Sequence, residues 1–301
     1  MNKYIDLHLH LDGSLSEDSV KELCRMQGIE IPDNLISLLK CPENCQDLND
    51  YLRCFEFPLT LLQTEEAVTY AVEKLCYETD YRYCEIRFAP QLHTRMGLSE
   101  RQVIEAACKG LSENYRLILC CMRGGKNEET VKLCPDFMGR GVVALDLAGA
   151  EALYPTRDHK HLFEAVHKMG IPFTLHAGEA DGPESIRDAI NMGASRIGHG
   201  VRAIEDESVM KLLRDSSIPL EMCPTSNLNT RVISDIRDYP IKKYMEFGIP
   251  VTVNSDNMSV SNTDVKKELG LINKTFGIDE DILLENAVKA AFDYKQKWFT
   301  E

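Results

Sequence analysis

A closed (β/α)8 TIM barrel is the fold class that this sequence predicts, and three observations predict it. Eight short β-rich runs recur along the chain, amphipathic helical patterns alternate with them, and 301 residues suffice for eight such units with insertions. Alternation argues for a parallel sheet, and eight repeats argue for its closure. No Gly/Ser- or Pro-rich linker, low-complexity tract or strong internal repeat divides the chain, so residues 1–301 read as a single domain.

The strand candidates are residues 4–8, 83–88, 117–122, 142–147, 172–176, 195–198, 218–222 and 250–254. Each is short, apolar and bounded by turn formers, as a strand covered on both faces should be. Helical periodicity marks 16–26, 65–79, 99–115, 128–133, 159–168, 183–192, 208–214 and 241–247, with two further helices at 265–276 and 279–294 after the last strand. Residues 11–82 form a helical insertion that leaves the C-terminal end of the first strand, the rim where barrel enzymes work. Within it, residues 51–62 (YLRCFEFPLTLL) make an aromatic stripe. Its first reading is helix packing on the barrel; a lid over the mouth is the alternative.

Composition narrows the function. With 34 Lys and Arg against 48 Asp and Glu, the formal charge of −14 disfavours a polynucleotide or an anionic membrane as the main partner. Small neutral or cationic ligands stay open. No apolar run has the length of a membrane-spanning helix, and the polar residues 1–6 do not open a secretory signal. Eleven cysteines, an odd number, several of them in apolar runs (Cys84, Cys120, Cys121, Cys223), point to free thiols in a reducing cytoplasm. Cys41 and Cys45 frame a CPENC stretch that reads as a loop, because no second pair completes a zinc knuckle.

Four segments carry chemistry. His8 and His10 sit two apart on the first strand, so both imidazoles face the barrel mouth together. His176 closes the fifth strand, and Glu179 follows three residues later, where a carboxyl could shuttle a proton. His199 is bracketed by glycines at the end of the sixth strand, and Asp256 ends the eighth. Taken singly, these are two surface histidines placed by chance, a buried structural histidine, a turn histidine and a helix cap. Together they put four of the chain's eight histidines on one rim. His8, His10, His176 and Asp256 supply three nitrogens and one oxygen, a set that suits one Zn²⁺ with an open position for water. A two-metal barrel would want a bridging carboxylated lysine after the fourth strand, which instead reads LDLAGAE, so one metal per chain is expected.

The motifs HLHLDGSL, LDLAGAE, HAGEA, RIGHG, MCPTSNL and VNSDN, in this order and nearly end to end, resemble those of the adenosine deaminase family within the metal-dependent amidohydrolase superfamily. The resemblance implies hydrolytic deamination of adenosine or 2′-deoxyadenosine to inosine or deoxyinosine plus ammonia, by a zinc-bound hydroxide. It implies His8, His10, His176 and Asp256 as zinc ligands. It implies Glu179 as the carboxyl that exchanges a proton with N1, His199 as the residue that orients the hydroxide, and Asp256 as the acceptor of the water's proton. It gives Gly149 the backbone N–H that meets N3 and Asp12 the ribose 5′-hydroxyl, with His10 also bordering the substrate. Glu179 must then hold a proton near neutral pH, which requires a carboxyl raised by burial.

One position departs from the family pattern. Where two consecutive aspartates are usual, this chain has Asp256-Asn257, and the second is the one that contacts N7. Adenine or a 5′-modified adenosine is therefore the alternative substrate, and a catalytically silent nucleoside-binding protein on the same scaffold is the alternative of another class. AMP is disfavoured by the lack of an Arg/Lys cluster for a phosphate. The H-x-E with PCxxC pattern of the cytidine-deaminase type of zinc site is absent.

Overall fold

The computed structural model describes residues 3–293. Eight parallel strands alternate with helices: β1 (Ile5–His10), β2 (Tyr83–Phe88), β3 (Tyr115–Met122), β4 (Val142–Ala148), β5 (Thr174–Ala177), β6 (Arg196–His199), β7 (Leu220–Met222) and β8 (Val251–Val253). They pair in sequence order as β1-β2-β3-β4 and β5-β6-β7-β8. Two backbone seams join the halves into the expected barrel. Leu145 N–H donates to Pro172 O at 3.1 Å between β4 and β5. Asp256 N–H donates to His8 O, and His10 N–H to Asp256 O, both at 2.8 Å, between the first and last strands. That second seam fixes the Asp256 backbone beside both histidines of β1.

The insertion after β1 carries α1 (Glu17–Gln27), α2 (Leu35–Leu39), α3 (Leu48–Leu52), α4 (Glu56–Leu61) and α5 (Glu65–Thr79). The barrel helices are α6 (Glu100–Lys109), α7 (Glu128–Phe137), α8 (Lys160–Lys168), α9 (Pro183–Met192), α10 (Glu207–Ser216), α11 (Pro224–Asn229) and α12 (Ile241–Phe247). After β8 come α13 (Val265–Phe276) and α14 (Glu280–Ala290). Caps explain several starts: Ser99 and Gln102 form a reciprocal capping box at α6, and the Asp264 side chain accepts Lys267 N–H at α13.

Most boundaries differ from expectation by one or two residues, and three helix ends differ by four or more. The helix expected over 99–115 stops at Lys109, and Tyr115 instead pairs with Cys84 in the sheet, its hydroxyl 2.8 Å from Thr79 Oγ1. A buried phenol held by Thr79 at the end of α5 and by the Tyr81 N–H just beyond it outweighs the continued helical periodicity. The helix expected over 128–133 runs on to Phe137 through Pro135. The one expected over 279–294 ends at Ala290, and Tyr294 lies outside the described residues. Helix α11, in the MCPTSNL motif, was not anticipated; Pro224 occupies its first turn.

The lower barrel interior is charged. Arg87, Arg196, Glu85, Asp146 and Glu221 are almost wholly buried and paired with one another. The aromatic stripe is not simply packing on the barrel wall. Tyr51, Phe55 and Leu59 form an apolar cluster of their own with Cys45, Cys54 and Val260 and cover the mouth, so the lid reading describes them better. Among the described residues, no helix is long and apolar enough to cross a membrane.

Candidate active site

The strand ends deliver their side chains to one point. Donor atoms of His8, His176, His199 and Asp256 all lie within 4.8 Å of one another. His10 Nε2 joins them, 3.2 Å from His176 Nε2 and 3.4 Å from Asp256 Oδ1. Asp256 Oδ1 is 3.5 Å from His8 Nε2, a buried nitrogen with no hydrogen-bond partner among the described residues. These separations match the about 3.3 Å between neighbouring ligands of a tetrahedral ion with bonds of about 2.0–2.1 Å. The donor set and the orphaned nitrogen therefore fit a metal ion. His199 stands in this cluster as well, although the sequence reading gave it a supporting role.

Local backbone explains the convergence. Asp256 and His199 are non-glycine residues at φ +63° and +60°, a conformation that turns each side chain off its strand end and into the mouth. A Cβ on Gly198 would stand 3.1 Å from His176 Cα and 3.3 Å from His8 Cε1, so the glycine of RIGHG leaves room for both rings.

Beneath the cluster sit residues that the sequence reading did not single out. His8 Nδ1 is 2.8 Å from Glu221 Oε2, and His176 Nδ1 is 3.1 Å from Asp146 Oδ2. A carboxylate at Nδ1 keeps the proton there and turns the Nε2 lone pair toward the cluster. Arg87 joins the two carboxylates, donating to Asp146 at 3.0 Å and Glu221 at 2.9 Å. Burial would raise the Glu221 carboxyl, but Arg87 and Arg196 outweigh it and hold it well below the ordinary range. Only an alternation of charged with apolar residues on strands (YCEIRF, LEM) hinted at this layer.

Glu179 is held by another overlooked carboxylate. Glu151 accepts four consecutive backbone N–H groups, from Gly178 (2.7 Å), Glu179 (3.0 Å), Ala180 (2.7 Å) and Asp181 (3.0 Å), and the Ser185 hydroxyl. The turn that carries Glu179 thus wraps the carboxyl group of one buried residue. The Glu179 carboxyl lies 3.3 Å from Thr230 Oγ1 and 3.6 Å from His199 Nε2. Burial first, then the charges of Asp256 and Glu151, raise it well above the usual carboxyl range. His199 is lowered far below the ordinary imidazole, chiefly by burial. Its Nδ1 is 3.1 Å from Asn227 Nδ2, and Tyr239 donates to the other end of that amide at 2.9 Å.

A cavity of about 200 Å³ opens above, lined by His10, Asp12, Gly149, His176, Glu179, Asp256 and Asn257 on its polar side. Its other walls are apolar, with Phe88, Leu92, Cys120, Met122 and the insertion's Tyr51 and Phe55. All the sequence-predicted site residues except His8 and His199 border this cavity, and those two lie behind it with the cluster. Burial pushes the Asp12 carboxyl up to about 6.

Such a site, with clustered imidazoles and a neutral carboxyl facing an apolar slot, suits hydrolysis at an electron-poor ring carbon. The comparisons agree. The family model described as adenosine deaminase matches residues 4–298. The chain is 44% identical to a curated adenosine deaminase of Haemophilus ducreyi, over 96% of this chain and 91% of the relative. It is 37% identical to that of Clostridium acetobutylicum, over 96% and 92%. A solved adenine deaminase from Arthrobacter aurescens superposes with a TM-score of 0.88 at 23% identity, covering 99% of this chain and 96% of that one. At that identity the superposition speaks for the fold alone.

Proposed function

This chain belongs to the adenosine deaminase family and is a hydrolytic deaminase of adenosine, and on that premise we propose how its residues divide the work. Its substrate is a small-molecule purine. In our reading one zinc ion is held by His8, His10, His176 and Asp256, and residues 1–301 act as one barrel domain. The observation that carries the metal reading is the orphaned His8 Nε2 amid donors spaced at ligand distances. When bound, the ion supplies Lewis-acid activation, lowering the pKa of a coordinated water to about 7.

The remaining steps belong to the protein. The apolar walls contributed by Tyr51, Phe55 and Phe88 hold the base and exclude water, which strengthens every electrostatic contact inside. Glu179, raised by burial, carries a proton near neutral pH and gives it to N1, so that negative charge entering the ring is neutralised. Asp256 receives the proton of the attacking water and passes it to the departing amine. His199, buried beside Glu179, supports the developing charge at C6 through Nε2. Asp12 and the Gly149 N–H face the ribose and N3, and Asn257 faces N7. A cytoplasmic location is supported by eleven free thiols.

Ammonia release from adenosine, 2′-deoxyadenosine, adenine and a 5′-modified adenosine tests the substrate. Adenosine and its 2′-deoxy form should lead; a preference for adenine would overturn the ribose role of Asp12. Glu179→Gln keeps shape but cannot deliver the proton, and kcat should fall by on the order of 10²–10⁴ while metal content persists. A loss under about tenfold would assign the N1 proton elsewhere.

A further inference from the structure

We propose that Glu268, on α13 and outside the cavity, is a positioning residue: it ties α11, which presents Asn227 and Thr230 to Glu179 and His199, to the segment that follows Asp256. The inference rests on the reading above, in which Glu179 and His199 serve the deamination.

Helix α11 is poorly fastened by its own sequence. Cys223 at its N-cap makes no side-chain bond, Pro224 brings no N–H, and two of its buried residues, Ser226 and Asn227, are polar. Six residues are too few to hold a helix without outside contacts. Yet its inner side meets the proton-handling groups. Asn227 Nδ2 is 3.1 Å from His199 Nδ1 and 3.5 Å from Glu179 Oε1, and the Thr230 hydroxyl at the helix end donates to Glu179 Oε1 at 3.3 Å.

Glu268 supplies the missing attachment. It is 1% exposed; its Oε2 accepts the Thr225 N–H at 3.0 Å, and its Oε1 accepts the Thr263 hydroxyl. The Thr225 N–H is the first of the helix, a donor that no carbonyl of α11 itself can reach. Thr263 closes the turns after β8, where Ser261 N–H donates to Asn257 O and Thr263 N–H to Met258 O. Both arms therefore end on α13, whose Val265, Leu269 and Ile272 are sunk in the core. An apolar side chain would fill the same space but leave the Thr225 N–H without an acceptor. Burial pushes the Glu268 carboxyl up to about 7, so at neutral pH the fold would gain from an uncharged residue there. A residue that burdens the fold while its two bonds steady the site is placed as a positioning residue would be. Among the described residues, none of α11 lines the cavity, so loosening the tether should disturb proton handling and spare substrate binding.

The test compares Glu268→Met with Glu268→Gln on adenosine. Methionine has similar length and no oxygen acceptor. Glutamine can accept the Thr225 N–H and donate to Thr263, because a hydroxyl bonds in both directions. In Glu268→Met, kcat should fall on the order of tenfold, as a buried N–H loses its acceptor, with KM and zinc content within about twofold of wild type. Glu268→Gln should restore kcat to within about twofold of wild type. In Asn227→Ala/Thr230→Val, which removes what α11 presents, adding Glu268→Met should change kcat by less than about twofold. Wild-type kcat in Glu268→Met, an equal loss in Glu268→Gln, or additive losses in the Asn227/Thr230 background would overturn the role. Should Glu268→Met fail to fold, Thr263→Val carries the test: it cuts one arm only and should lower kcat about threefold at constant KM, and an unchanged kcat would overturn the tether. Amide hydrogen exchange gives a readout without turnover. The α11 amides should exchange on the order of tenfold faster in Glu268→Met and as in wild type in Glu268→Gln. A wild type that shows this pattern but releases no ammonia would sink the deaminase reading while leaving the tether intact.

Discussion

Replacing Arg87 with methionine leaves a hole in charge rather than in volume, and its consequences follow from the contacts it removes. Arg87 is fully buried and donates to Asp146, to Glu221 and to the Leu7 carbonyl, at 3.0, 2.9 and 2.6 Å. Three carboxylates, Glu85, Asp146 and Glu221, share this layer with two guanidiniums, Arg87 and Arg196. Without Arg87 they face only Arg196, which is bonded to Glu85 and Glu221 and not to Asp146. Asp146 is then the carboxylate left without a guanidinium. Breaking a buried pair by deleting one partner destabilises by about 3–5 kcal/mol, which in a chain of this size lowers Tm on the order of 5–10 °C.

A second effect separates this residue from any other core arginine. Both carboxylates that it steadies hold the Nδ1–H of a proposed metal ligand, so loosening them should weaken metal affinity about 10–100-fold, the range typical for partners of ligating histidines. Urea unfolding of the apoprotein reads the first effect, and zinc competition against a chromophoric chelator reads the second. In Arg87→Met/Asp146→Asn the stranded charge is gone, so part of the stability should return while affinity stays low. Wild-type metal affinity in Arg87→Met would refute the linkage between this layer and the ligands, whatever happens to stability.

Other expectations follow from the same site and its surroundings. Purified protein should contain about one zinc per chain. His10→Ala and His176→Ala should lose both metal and activity, whereas His199→Gln should keep the metal and lose turnover; two equivalents of metal, or metal loss in His199→Gln, would reassign the ligands. Burial pushes the Glu268 carboxyl from 4.5 up to about 7. A carboxyl raised in the fold opposes folding once it must ionise, so this penalty is absent below about 4.5, grows between 4.5 and 7, and is complete above 7. Glu268→Gln, read by urea unfolding at pH 5 and pH 8, should therefore gain about 2–4 kcal/mol relative to wild type between those pH values. An identical difference at both would place the Glu268 carboxyl in its ordinary range.

Much of this molecule is legible in the sequence because the informative residues lie on strands. Side chains at strand ends are fixed by a two-residue period and by barrel closure, so His8, His10, His176, His199 and Asp256 were bound to meet once the eight strands were recognised. Legibility fails where the partner is distant and the residue type ordinary. Glu151 and Glu221 read as unremarkable acids, yet one gathers four backbone N–H groups and the other an imidazole and two guanidiniums. Tyr51 read as one apolar residue in a stripe, because nothing local reveals Ser261, 210 positions away. Helix α11 was hidden by its shortness, since six residues make less than two turns of periodicity.

The same distinction separates histidines that the motifs make look alike. An imidazole's role at its Nε2 is set by what sits at Nδ1. Glu221 and Asp146 are acceptors at the Nδ1 of His8 and His176, so each must keep Nδ1–H and offer an Nε2 lone pair, which is what a cation requires. At His199 the neighbour is the Asn227 amide, and Tyr239 donating to Asn227 Oδ1 leaves Nδ2 as the end that faces the ring. An N–H presented to Nδ1 needs a lone pair there, so the neutral ring carries its proton on Nε2 and points a donor at the reacting centre. Burial drives His199 well below the ordinary imidazole, which keeps it in that neutral form. Two rings are thus wired to give electrons and the third to give a hydrogen bond. Tyr239→Phe, which frees the Asn227 amide to turn over, should impair His199 without disturbing the metal, because neither Glu221 nor Asp146 touches that pair.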